Sequence, residues 1–205
     1  MRVIRSLSCL VVLLIGMVIA IVGTVWLIPP PVTEPVVYPS WIEEAIIPVD
    51  GISRRGKALD AVTDIVIHYV GNPNTTARAN RDWYENPLSS VSSHFIVGLE
   101  GEVLLCVPLN EVSSASNWRN HDTISIEVCH PDDSGVFNQK TYDALVKLTA
   151  WLLQQNGLDT EHIIRHHDVT GKECPRWFVR DPAAWEQFKT DVKNFKNPLD
   201  NLPNE

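Results

Sequence analysis

Apolar and polar positions divide the chain into two unlike parts. The first has no charged residue between Arg5 and Glu34, and residues 9–28 (CLVVLLIGMVIAIVGTVWLI) are apolar almost throughout. A helix needs roughly 20 such residues to cross a bilayer, so the pattern predicts a transmembrane helix over 9–28. Arg2 and Arg5 precede it without an acidic residue, which places residues 1–8 in the cytoplasm by the positive-inside rule. Trp26 stands where an interfacial aromatic anchors the outer end. The alternative is a cleaved signal peptide, with an apolar core of about 7–15 residues and a small-residue cleavage site. This run is longer and ends in Trp-Leu-Ile-Pro-Pro-Pro. Either reading exports the remainder of the chain. Pro29, Pro30, Pro31, Pro35 and Pro39 make 29–40 a stiff, extended linker.

The second part alternates short β-branched runs with helical periods. Residues 64–70 (DIVIHYV) predict a core strand. Residues 76–84 predict a helix closed by Asn86-Pro87. Residues 94–97 and 102–107, joined through Gly98 and Gly101, predict a hairpin, and 123–129 (TISIEVC) a further strand. Over 138–156 the residues Tyr142, Leu145, Thr149, Leu152 and Leu153 share one helical face, and Gly157 suits the C-terminal cap. A short strand-like run covers 162–165. Asp181-Pro182 opens a last helix with Trp185, Phe188 and Val192 on its apolar side. The expected fold class is mixed α/β, a central mixed β-sheet flanked by helices over 41–195, with a polar tail at 196–205.

Charge and cysteine content narrow the function classes. The net charge is −8 with no Lys/Arg stripe, so nucleic acid is not an expected partner. Cys9, Cys106, Cys129 and Cys174 show no regular spacing and no C-x-x-C, which argues against a disulfide framework. Cys106 and Cys129 read as small buried hydrophobes, with a bridge between them as the lesser alternative. Nothing in the pattern indicates an oligomeric state.

The chemistry-bearing residues lie in two places. His68 ends the first core strand, where a side chain can face a cleft. The segment 165–178 (RHHDVTGKECPRWF) brings two histidines, a lysine and a cysteine into one stretch between a strand and the last helix. His68, His166 and Cys174 supply two nitrogens and a thiolate, which suits a catalytic zinc site of three protein ligands with one position open to water. A polar loop with one buried cysteine fits the same spacing, so the residues by themselves leave both readings open.

Four segments in order carry a resemblance: IVIHYVGNP at 65–73, SSHFIVGLEGEV at 92–103, NHDTISIEV at 120–128 and RHHDVTGKECP at 165–175. Over about 38–195 the chain resembles the zinc-dependent N-acetylmuramoyl-L-alanine amidases of the peptidoglycan-recognition-protein fold, the T7-type lysozymes among them. The resemblance implies a peptidoglycan substrate and one Zn²⁺ held by His68, His166 and Cys174. It implies Glu127 as general base and Lys172 as the stabiliser of the oxyanion, while His167 takes a variable, non-ligating position. His94 itself reads as a substrate or ligand-orienting contact, or as an ordinary structural histidine. His121, His130 and His162 read as surface or loop residues, and Asp168 as a local shaper of its loop. Two departures matter. Ser93 stands where T7-type members have a tyrosine, which leaves more of the work to Glu127 and makes Tyr69 a candidate lining residue. Asn117-Trp118 stands where relatives often have a Trp-His-x-Gly-like segment, which implies an altered groove. The expected location is the cell membrane, single-pass, with the catalytic domain outside the cytoplasm. Two rivals remain: a non-catalytic peptidoglycan-binding module of the same fold, and a cysteine peptidase built on Cys174. Against the second, Cys174 precedes Pro175 in what reads as a loop, without a helix terminus to lower its pKa.

Overall fold

Six strands form one sheet in the order β1-β4-β3-β5-β2-β6. They are β1 (Ile42–Glu44), β2 (Asp64–Ile67), β3 (Phe95–Val97), β4 (Val103–Leu105), β5 (Thr123–Val128) and β6 (Ile163–Arg165). The computed structural model describes residues 37–49 and 52–196. The unit that carries the sheet begins at Pro39. The predicted span 9–28 lies outside the described residues, with 1–8, most of the 29–40 linker and nearly all of the 196–205 tail. Among the described residues no helix is long and apolar enough to cross a membrane.

β3, β5, β2 and β6 run parallel to one another, while β3 and β4 pair antiparallel as the predicted hairpin. Gly101, at φ +84°, turns that hairpin in a conformation open chiefly to glycine. Register fixes which side chains share a face, because successive residues of a strand point to opposite sides. Ile67 lies opposite both Ile126 and Arg165. One step further along each strand, His68 meets Glu127 on one side and His166 on the other, so all three share one face of the sheet.

The helices follow their caps. Helix α1 (Ala77–Tyr84) starts where Thr76 Oγ1 accepts from Ala79 N at 3.1 Å. Helix α2 (Gln139–Asn156) starts at Asn138, whose Oδ1 accepts from Thr141 N at 3.0 Å, and ends at Gly157 with φ +63°. It buries Leu145, Thr149, Leu152 and Leu153 of the predicted stripe, with Leu148 beside them and Tyr142 left at the margin. Trp151 meets Phe95 edge-on at 6.4 Å, so α2 covers the sheet face away from the histidines. Helix α5 (Pro182–Asn194) is capped by Asp181 and buries Trp185, Phe188 and Val192, as the pattern predicts.

The 165–178 segment differs from the expected loop. It holds the five-residue helix α3 (His166–Thr170) and the start of a second, α4 (Arg176–Arg180). Each is too short to show a period in sequence. Cys106, Cys129 and Cys174 are free and buried, which removes the bridged alternative for Cys106 and Cys129.

Candidate metal centre

His68 emerges where β2 leaves its regular span, and its N–H still donates to Ile126 O at 2.8 Å, so the strand geometry carries through it. Glu127 is the penultimate residue of β5. His166 opens α3 directly after β6. All three sit at the carboxyl ends of parallel strands, the edge of an open α/β sheet where ligands bind. Cys174 arrives by a return of the chain. Asp168 Oδ2 accepts from Arg165 N at 2.8 Å and starts α3, giving Asp168 the local role expected of it. Gly171, at φ +76°, ends α3, and His167 N donates to Cys174 O at 2.8 Å, which closes the loop.

The result is a buried cluster. One donor atom each from His68, His166 and Cys174 lies within 4.8 Å of the others. His68 Nδ1 is 4.0 Å from Cys174 Sγ and 3.9 Å from Glu127 Oε1. The two imidazole rings stand 4.5 Å apart. A cleft of about 1110 Å³ opens above them, lined also by Tyr69, Tyr84, Arg55 and Lys172.

Electrostatics put the two histidines in the protonation state a cation needs, while burial holds the thiol and the carboxyl in their neutral forms. Burial holds the His68 imidazole well below its ordinary value, with His166 and the Lys172 ammonium adding to the effect. Burial and Lys172 lower His166 as well. Both rings are therefore neutral near neutral pH and free to offer a lone pair. Burial pushes the Glu127 carboxyl up to about 8, against the pull of Lys172. Its Oε2 is buried without a hydrogen-bond partner, an unmet demand at the bottom of the cleft. Burial and Glu127 push the Cys174 thiol up to about 12. With no cation beside it the sulfur is a thiol, unsuited to nucleophilic attack. The reason differs from the one expected in sequence, because α4 does begin two residues after Cys174. Burial, not distance from a helix, keeps the thiol protonated. Two nitrogens, a sulfur and a facing carboxylate fit a borderline-soft divalent cation such as zinc.

The other sequence candidates separate cleanly. Lys172 is exposed and lines the cleft. His167 points away, its Nδ1 3.0 Å from Lys172 O. His94 takes the structural option. Its Nδ1 accepts from Ser125 N at 3.0 Å, its Nε2–H donates to Glu111 O at 2.9 Å, and it is fully buried. His130 lies in the loop after β5, as one of its two readings has it, but is 1% exposed and not at the surface, beneath the Tyr69 ring at 5.0 Å. Sequence reasoning missed Tyr84. Its hydroxyl lies 2.9 Å from Ser93 Oγ, so a phenol from α1 reaches the position where Ser93 had replaced one. The only available signal was the helical pattern that points Tyr84 inward.

Fold and donors together define the class: a mixed α/β domain with a mononuclear, metal-type donor set at the carboxyl edge of its sheet. Residues 58–177, which include all five candidate site residues, match the family model described as N-acetylmuramoyl-L-alanine amidase, and the chain belongs to that family. It is 32% identical to the N-acetylmuramoyl-L-alanine amidase BlyA of Bacillus subtilis (strain 168), over 72% of this chain and 45% of that protein. It is 30% identical to the amidase CwlL of Bacillus licheniformis, over 70% of this chain and 44% of that protein. The chain thus spans less than half the length of these curated relatives. Among solved structures, the catalytic domain of XlyA superposes with a TM-score of 0.64 at 26% identity, over 74% of this chain and 98% of that domain.

Proposed function

We propose that this domain hydrolyses the amide between N-acetylmuramic acid and L-alanine in peptidoglycan, using one Zn²⁺ held by His68, His166 and Cys174. The carrying observation is the convergence of these three buried donors within 4.8 Å beside a partnerless carboxylate oxygen. Family membership and the amidase names of the relatives support the substrate. Zinc in such a site supplies an acidified water and a Lewis acid. The chain's own residues do the rest. The cleft admits the lactyl–alanyl junction. Glu127, which faces the donors, takes the proton of the attacking water in its ionised form, a form that a bound cation would favour against burial, and delivers it to the departing L-alanine nitrogen. Lys172 holds positive charge at the cleft wall, where the carbonyl oxygen becomes an oxyanion. Residues 9–28 anchor the chain in the membrane with 1–8 inside. The Pro-rich 29–40 linker then presents the catalytic domain, 41–195, on the extracytoplasmic side, with 196–205 as a tail.

The test is release of new L-alanine amino termini from purified peptidoglycan by the full chain, with zinc content measured alongside. Expected are release by the wild type, its loss on chelation, its return with zinc, and loss of both metal and activity in Cys174→Ser. Tight binding without new amino termini would move the protein to the binding-module reading. Activity that survives chelation but falls to thiol alkylation would move it to a peptidase.

A further inference from the structure

An imidazole has two ring nitrogens, and whichever is tied up elsewhere decides which one can hold a metal. In His68, Nδ1 looks towards Cys174 and Glu127, and Nε2 looks the other way, 3.2 Å from Ser116 Oγ. In His166, Nε2 lies 2.8 Å from Asn117 Oδ1. An amide oxygen only accepts, so this Nε2 carries the hydrogen and Nδ1 keeps the lone pair. Two donors that come from separate strands are thus oriented from behind by two consecutive residues of a third segment.

That segment is itself held rigidly. Asn120 Oδ1 accepts from Ala115 N at 3.0 Å and from Ser116 N at 2.6 Å. Arg119 donates to Asp122 at 2.9 Å and to Asp64 at 2.5 Å, and Thr123 Oγ1 donates to Arg119 O at 2.6 Å. Ser116 is 1% exposed. Asn117 sits at φ +54°, a conformation that asparagine tolerates better than other side-chain-bearing residues. The departure at Asn117-Trp118, which in sequence implied an altered groove, therefore reaches the back of a metal ligand.

We propose that Ser116 and Asn117 are positioning residues that lock His68 and His166 as Nδ1 donors and so set the affinity of the centre for its divalent cation. This rests on the metal reading above. It adds a claim that reading does not need, namely that the loop before β5 controls how tightly the cation is held. The opposite amide orientation, with Asn117 Nδ2 facing the ring, would place the ring proton on Nδ1 and spoil the donor. Asn117→Asp has no N–H to offer and separates the two orientations.

The experiment uses the full 205-residue chain. Zinc affinity is measured by chelator competition, and coordination geometry by the visible absorption of the Co²⁺-substituted protein. Variants are Ser116→Ala, Asn117→Gly, which keeps the left-handed backbone and removes the amide, and Asn117→Asp. Ser116→Ala and Asn117→Gly are each expected to weaken zinc by about 10–100-fold and to diminish or shift the cobalt bands. Each metal-stripped variant should still unfold in one cooperative transition above the assay temperature, so that the loss reads on zinc affinity and not on folding. Asn117→Asp should hold zinc at least as well as wild type. Zinc affinities within about threefold of wild type in both Ser116→Ala and Asn117→Gly would overturn the inference and leave the metal reading standing. So would an Asn117→Asp variant as weak as Asn117→Gly. A wild type that binds neither zinc nor cobalt would remove both at once.

Discussion

The two faces of the sheet are built by opposite rules. On the α2 side, Ile65, Ile67, Phe95, Ile124, Ile126 and Val128 are wholly buried and contribute no polar side-chain atom. Beyond them Phe178 stacks on Phe188 at 5.1 Å and meets Trp185 at 5.3 Å, so aromatic packing ties α4 to α5. On the other side the same strands bury His68, His94 and Ser125. There His94 and Ser125 are satisfied by named partners, while Glu127 Oε2 is not. Burying polar groups is costly unless each finds a partner. The apolar face therefore carries the stability, and the polar face spends part of it on a group left unpaired where chemistry is expected. The strands are shared, so the contrast arises from alternation alone.

Substitutions on either face test this division of labour. Glu127→Gln should act most strongly, because it keeps the shape and removes the proton carrier. Turnover of peptidoglycan should fall by about 10²–10⁴-fold with zinc content unchanged, and a fully active variant would empty the polar face of its proposed role. Next is Phe178→Ala on the aromatic side. Denaturant unfolding should show a loss of about 3–5 kcal/mol, and a much smaller loss would mean that the two faces share the load.

A subtler effect concerns pH in metal-stripped protein. The Glu127 carboxyl sits at about 8 when folded, against an ordinary value of 4.5, so the folded state keeps a proton that the unfolded chain has released. Stability then falls as pH rises through that window. His68 and His166, both held below 6.5, act in the opposite sense, but only at pH below 6.5, where the unfolded chain binds protons the native sites refuse. Between pH 6.5 and 8 the Glu127 slope remains, a decline of about 2 kcal/mol. It should be absent in Glu127→Gln, and an identical slope in that variant would assign the effect elsewhere. The mildest change belongs to His167, whose ring faces its own loop. His167→Gln should leave zinc content unchanged and stability within about 0.5 kcal/mol; loss of metal would reassign the ligand.

Much of the fold was legible because it is written in short periods. The α2 stripe, its Asn138 and Gly157 caps, the Gly98–Gly101 hairpin and the Asp181-Pro182 start all depend on residues within a few positions of one another. The features that were not legible have a common cause. Helices α3 and α4 are one turn and a fraction long, so neither shows a face in sequence. His130 is a loop residue, as it looks in sequence, yet the Tyr69 ring from another strand end closes over it and buries it. Tyr84 meets Ser93 only because α1 packs against β3 and β4.

From the chain alone came the kinds of group available: two neutral-capable imidazoles, a thiol, a carboxylate and an ammonium, on strand ends and in one polar stretch before the last helix. Tertiary structure decided that they meet. Cys174 and His68 are 106 positions apart, far outside any helical or strand period, and only register between β2, β5 and β6 brings their carriers side by side. The altered proton affinities belong to the same level, since they arise from excluding water, which no local pattern of residues can do by itself.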